Sequence, residues 1–97
     1  MAILLTIHGL SRTVKLHKPV ATTDRGFSDF ANFDDTYGAG VRVTESSAEP
    51  LDKVWVFIEG GAVNHNNGSA HLNVKQAEKL ATALLSWVAT QEPGYVK

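Results

Sequence analysis

The chain has 97 residues, of which 43% are hydrophobic and 20% charged, with a formal net charge of -1 and no cysteine. That length supports a single small domain with a modest core. The composition argues against a disulfide framework or thiolate zinc site. The absence of any run of about eighteen apolar residues argues against a membrane span, and the net charge argues against a nucleic-acid partner.

Charge is distributed unevenly: residues 1–23 carry a net +3, residues 24–59 a net -5 and residues 60–97 a net +1. Arg12, Lys15 and Lys18 on one hairpin read as a solvated strand face rather than a phosphate track. The opening MAILLTIHG lacks a basic leader and a cleavage site. It is read as mature protein, and a cytoplasmic location is expected.

Residues 2–8 alternate, with Ile3, Leu5 and Ile7 on one side and Leu4, Thr6 and His8 on the other. Gly9–Arg12 signals a turn, residues 13–18 return as a second strand, and Pro19 ends the hairpin. Residues 19–40 are rich in Ser, Thr, Asp and Gly, yet Phe27, Phe30, Phe33 and Tyr37 are interleaved. Four aromatics do not suit a disordered linker. The spacing of three predicts a single helical or 3₁₀ turn within an ordered loop that folds over the sheet.

Gly40–Thr44 reads as a short strand and Glu45–Asp52 as a polar connection. Lys53–Glu59 is apolar on both sides, Val54, Val56 and Ile58 against Trp55 and Phe57, which predicts a central strand covered on each face. Gly60-Gly61 suggests a bulge, and Asn67-Gly68 a hairpin turn leading into a strand over residues 69–73. Asn73–Gln91 then carries a helical period, with Val74, Ala77, Leu80, Ala81, Leu84, Leu85, Trp87 and Val88 on one face. Lys75, Glu78, Lys79, Thr82, Ser86 and Thr90 fall on the other. Asn73 and Gln76 form a capping-box pattern, and Pro93-Gly94 marks the end.

These elements predict an α+β fold: a two-layer arrangement in which an antiparallel sheet of about five strands is covered on one face by the C-terminal helix. Ile3, Leu5, Ile7, Val14, Leu16, Val41, Val43, Val54, Val56, Ile58 and Leu72 would line the covered face. Leu4, Thr6, Lys15, His17, Arg42, Thr44, Trp55 and Phe57 would line the other. Large apolar groups on an otherwise polar face mark a partner surface, with Leu4, Trp55 and Phe57, helped by Phe30 and Phe33, as the candidate interaction residues. The alternatives are that the 27–37 loop covers them as a second small core, or that part is covered and part forms a dimer seam. A groove between the loop 24–39 and the 60–69 hairpin, using Arg25, Arg42, His65 and Asn66, is the alternative function, a small-ligand site for a metabolite or nucleotide signal.

A metal or catalytic reading is weaker. His8 and His17, and His65 and His71, form candidate cross-strand pairs, but no third ligand follows at motif spacing. No nucleophile elbow or phosphate loop is present, Asp34-Asp35 reads as a solvated turn or helix cap, and Asn67-Gly68-Ser69 reads as hairpin chemistry rather than a glycosylation acceptor. No cofactor and no catalytic residue are expected.

Within Leu72–Leu84 (LNVKQAEKLATAL), following a strand that carries Val54-Trp55, the chain resembles a recurring ending in small actinobacterial and actinobacteriophage proteins. The resemblance covers about residues 53–90. Members of that group mostly have no assigned activity, so no functional residues carry over. It implies a small cytoplasmic accessory protein, phage or prophage encoded, that acts by binding. The expected partner is a second copy, as a homodimer, or a bacterial host protein.

Overall fold

The computed structural model describes residues 2–7, 10–48, 52–60 and 68–92. Six strands and one helix follow in the order β1 (Ala2–Ile7), β2 (Leu10–Lys15), β3 (Ala21–Thr22), β4 (Ser28–Asp34), β5 (Gly40–Glu45), β6 (Val54–Glu59) and α1 (Val74–Thr90). The main sheet is antiparallel with four strands in the order β3-β4-β5-β6. The expected sheet of about five strands divides differently, because β1 and β2 form a separate two-stranded sheet. Their register runs from Ala2 opposite Lys15 to Ile7 opposite Leu10, so β2 begins at Leu10, within the stretch expected to turn.

Residues 19–40 are not a loop over the sheet but supply two of its strands. Thr23 N–H donates to the Phe27 carbonyl at 2.7 Å, and Gly26 adopts a φ of 87°, closing a tight β3–β4 hairpin. In β4 the register shifts between Asp29 and Ala31: Asp29 lies opposite Thr44 and Ala31 opposite Val43. Phe30 is the extra residue of this bulge. It is 1% exposed and belongs with Ala31, Val43 and Ala83 to the core cluster.

The β4–β5 turn is built on Asp35, which is buried despite the expectation of a solvated turn. Its carboxylate accepts N–H bonds from Tyr37 at 2.8 Å, Ala39 at 2.7 Å and His71 at 2.7 Å. The His71 bond first, then those from Ala39 and Tyr37, hold the acid below its ordinary value of 3.8 against the opposing effect of burial. Residues 69–73 do not form the expected returning strand. They cross the end of the sheet, with the His71 carbonyl accepting Thr36 N–H at 3.0 Å.

Asn73 caps α1 and forms a complete capping box with Gln76. Gln76 also reaches the sheet: its Oε1 accepts the Thr36 hydroxyl at 3.1 Å, and its Nε2 donates to the Asp34 carbonyl at 3.1 Å. The helix start is thereby tied to the β4–β5 turn.

The helix packs on β4 and β5, rotated from the face that hydrophobic periodicity selects. Ala83 and Ser86 are buried, while Val74 is 75% and Val88 43% exposed. Leu80, Leu84 and Trp87 pack against the core from the edge of this line. Small residues at the centre suit close approach of helix to sheet. Ser86 tolerates burial because its hydroxyl donates to the Thr82 carbonyl at 2.7 Å and accepts His17 N–H at 3.1 Å.

β6 lies at the end of the strand order rather than at its centre. Val41 and Val43 are buried as expected, but Val56, placed inward by alternation, is 41% exposed.

Candidate functional site

Antiparallel register lines up two rows of residues on the sheet face opposite the helix. One runs Asp29–Thr44–Trp55 and the other Asn32–Arg42–Phe57. Trp55 and Phe57, adjacent on this face because strand side chains alternate, meet with ring centroids 4.8 Å apart. The Arg42 guanidinium sits 4.7 Å over the Phe57 ring, in cation–π range. Arg42 Nε also donates to the Thr44 hydroxyl at 3.3 Å and lies 4.0 Å from Asp29. The Thr44 hydroxyl in turn donates to Asp29.

A groove of about 460 Å³ opens beside these rows. Arg25 and Phe27 of the β3–β4 hairpin face Arg42, Trp55 and Phe57 across it, and Asp24, Asp29 and Glu45 supply acidic lining. These three acids outnumber the two arginines, so the groove is no cationic cradle. Arg42 is engaged by Phe57, Thr44 and Asp29, and Glu45 accepts Ser28 N–H at 2.9 Å. A wider cleft of about 1,070 Å³ lies between β2, β4 and the first half of α1. Lys79 approaches Phe33 there, 5.7 Å from the ring centre.

The structure therefore brings together Trp55 and Phe57, expected at an interaction surface, with Arg25 and Arg42, expected at a ligand site. Trp55 is 47% exposed and Phe57 half-buried. Phe30 is no surface anchor, because the β4 bulge turns it into the core. Phe33 is half-buried on the helix side of the sheet. Leu4 sits opposite Thr13 in the separate β1–β2 sheet and does not extend the Trp55 row. His65 and Asn66 lie outside the described residues.

Each candidate histidine pair has one member outside the described residues. His8 lies outside them, and His17 follows Lys15, at the far end of the hairpin from Ile7. His65 is likewise outside, while the His71 ring stands edge-on to Tyr37 at 5.1 Å. Among the described residues no group of three or more His, Cys, Asp or Glu side chains could hold a metal ion, and no helix is long and apolar enough to cross a membrane.

Sequence reasoning missed Phe27 and Asp29 as lining residues and Val56 as an exposed one. Asp29 reaches the groove through its place in β4, a strand hidden by its bulge. Val56 is exposed because α1 settles over β4 and β5. Comparison with protein-family models, curated proteins and solved structures finds no match.

Proposed function

We propose that this chain is a non-catalytic protein-interaction module whose working surface is β6 and the outer sheet face beside it. The observation that carries this reading is the exposure of Trp55 and Val56, neighbours on opposite faces of one terminal strand. Aromatic groups that are partly exposed and already ordered bury much apolar area on association at little entropic cost. Phe57, held by Trp55 and Arg42, gives that surface a fixed floor. The resemblance over residues 53–90 supports the finer reading: a phage or prophage accessory protein of the bacterial cytoplasm that binds itself or a host protein.

The small-ligand alternative has less support. Arg25 and Arg42 share a groove, but the bonds of Arg42 and the acids around it already satisfy much of its charge. Asp29 and Glu45 likewise hold Thr44 and the Ser28 backbone, which are structural duties.

Native mass spectrometry on protein recovered gently from a bacterial lysate tests this reading, with Trp55→Ala alongside the parent chain. The expected result is an assembly with a second copy or a host protein that Trp55→Ala loses while its circular dichroism is unchanged. A bare monomer, or an assembly indifferent to the substitution, would refute it. An added small mass would instead favour the ligand alternative.

A further inference from the structure

The backbone of β6 has a consequence that its side chains alone do not reveal. Ser46 N–H donates to the Lys53 carbonyl at 3.0 Å, continuing the register in which Glu45 faces Val54. Hydrogen-bonded and non-hydrogen-bonded pairs alternate along an antiparallel ladder. Lys53, Trp55, Phe57 and Glu59 therefore turn their backbone groups toward β5. Val54, Val56 and Ile58 turn theirs outward, away from the sheet. The bond from Gly68 N–H to the Ile58 carbonyl, 3.2 Å long, independently places that carbonyl on the outer edge. Among the described residues, Val54 and Val56 make no such bond on that side. An apolar edge of this kind is a template for another strand.

The sequence of the edge indicates which strand. From Lys53 to Glu59 it reads basic, Val, Trp, Val, Phe, Ile, acidic, and it is self-complementary about Val56. Turned antiparallel onto a second copy, Val56 faces Val56, Trp55 faces Phe57, Val54 faces Ile58 and Lys53 faces Glu59. Lys53 and Glu59 are both exposed. Lys53 is bridged at 2.7 Å to its exposed neighbour Asp52, a solvated pair that holds it weakly. A shift of two residues would set Lys53 opposite Phe57 and lose the charge match.

We infer that β6 is the seam of a two-fold dimer, in which a second copy of this chain adds its own β6 antiparallel and in register about Val56. The two Val56 residues exchange N–H and carbonyl bonds at the axis, and Ile58 N–H reaches the partner's Val54 carbonyl. The partner's Val54 N–H takes the place of Gly68 on the Ile58 carbonyl, so one bond is exchanged for another. The two main sheets become one, aromatic cross-strand pairs form on the outer face, and Val56 is covered on the inner one. This rests on the interaction reading above and names its partner.

Sedimentation velocity over a concentration series tests it on four proteins: the parent chain, Val56→Pro, Lys53→Glu and the double swap Lys53→Glu/Glu59→Lys. Proline at Val56 removes an outward N–H and leaves the β5 ladder its bonds. The parent chain should dimerise reversibly, and Val56→Pro should weaken association at least about tenfold. Lys53→Glu sets like charges opposite at both symmetric positions and should weaken it by about tenfold. The double swap should restore it without relying on proline being tolerated. A dimer that survives Val56→Pro, or one that Lys53→Glu weakens and the double swap does not rescue, overturns the seam or its register. A parent chain monomeric at every concentration rejects the second copy as occupant. In that case the broader interaction surface still stands or falls on a host-protein complex and its loss in Trp55→Ala.

Discussion

Replacing Ser86 with alanine tests the orientation of α1. If Ser86 faced solvent, as helical periodicity places it, Ser86→Ala would be neutral or slightly stabilising, since alanine favours helix by about 0.5 kcal/mol. In the structure Ser86 is 2% exposed, accepting His17 N–H and donating to the Thr82 carbonyl. Alanine keeps the helix but leaves the part-buried His17 N–H without its acceptor, at a cost of about 1–3 kcal/mol. Subtracting the propensity gain leaves a net loss of about 0.5–2.5 kcal/mol. For a domain of this size that lowers Tm by about 2–20 °C. Urea unfolding followed by circular dichroism, with the two tryptophans as a second probe, measures it directly. Ser86→Leu should cost more, because added volume must enter a close helix–sheet contact. Val74→Ser, on the exposed face, should stay within about 0.5 kcal/mol. A neutral Ser86→Ala together with a damaging Val74→Ser would show the helix turned the other way.

Three further perturbations separate the core from the surface. Phe30→Ala should cost about 3–5 kcal/mol and abolish cooperative unfolding in so small a domain, whereas Trp55→Ala should cost about 1 kcal/mol, mainly the ring pair with Phe57; equal costs in urea titrations would contradict the assignment of Phe30 to the core. Gln76→Ala should destabilise by about 1–2 kcal/mol, more than Asn73→Ala at about 1 kcal/mol, because Gln76 also holds Thr36 and the Asp34 carbonyl, and thermal melts of the two variants would rank them. The carboxyl of Asp35 is more acidic folded than unfolded, so its stabilisation is full above the unfolded value of 3.8 and drains away as pH falls through the lower folded value. Asp35→Asn should be less stable at pH 7 and should lose less on acidification across that window, and unfolding curves of both chains from pH 7 to pH 2 would reveal parallel slopes if Asp35 carried no such role.

The sequence was most informative where local chemistry decides the outcome. Asn73 and Gln76 define the start of α1 because a capping box depends on neighbours three residues apart. Gly40–Glu45 is legible as a strand from Val41 and Val43 on one face, and Val54–Glu59 from its run of β-branched and aromatic residues. β4 was illegible for an identifiable reason: the bulge at Phe30 puts two successive residues on the core side and breaks the period of two. Aromatics three apart then imitate a helical turn. Asp35 was misjudged because nothing local reveals that the distant His71 N–H will reach it. The candidate site was half legible. Arg42, Trp55 and Phe57 share a face by alternation alone, but Arg25, Phe27 and Asp29 reach the groove only through the unrecognised β3–β4 hairpin.

The misplaced helix face and the misplaced strand have separate causes: close packing turns α1, while the pairing of β1 with β2 in a sheet of their own leaves β6 at the end of the strand order. A helix period measures how apolar a face is, not how closely it can approach a sheet. Ala83 set against Ala31 and Val43, with Ser86 buried on the same helix, allows a closer fit than a line of valines and leucines would. That fit seats α1 on β4 and β5 and leaves Val56 uncovered. Once β6 is at the edge, its apolar residues on both faces no longer indicate a central strand. They become a surface with a directed backbone, and Lys53 and Glu59 at its ends give that surface a polarity. A partner strand on that edge would pair Val54 and Val56, whose outward backbone groups make no bond among the described residues, and would have to displace Gly68 N–H from the Ile58 carbonyl.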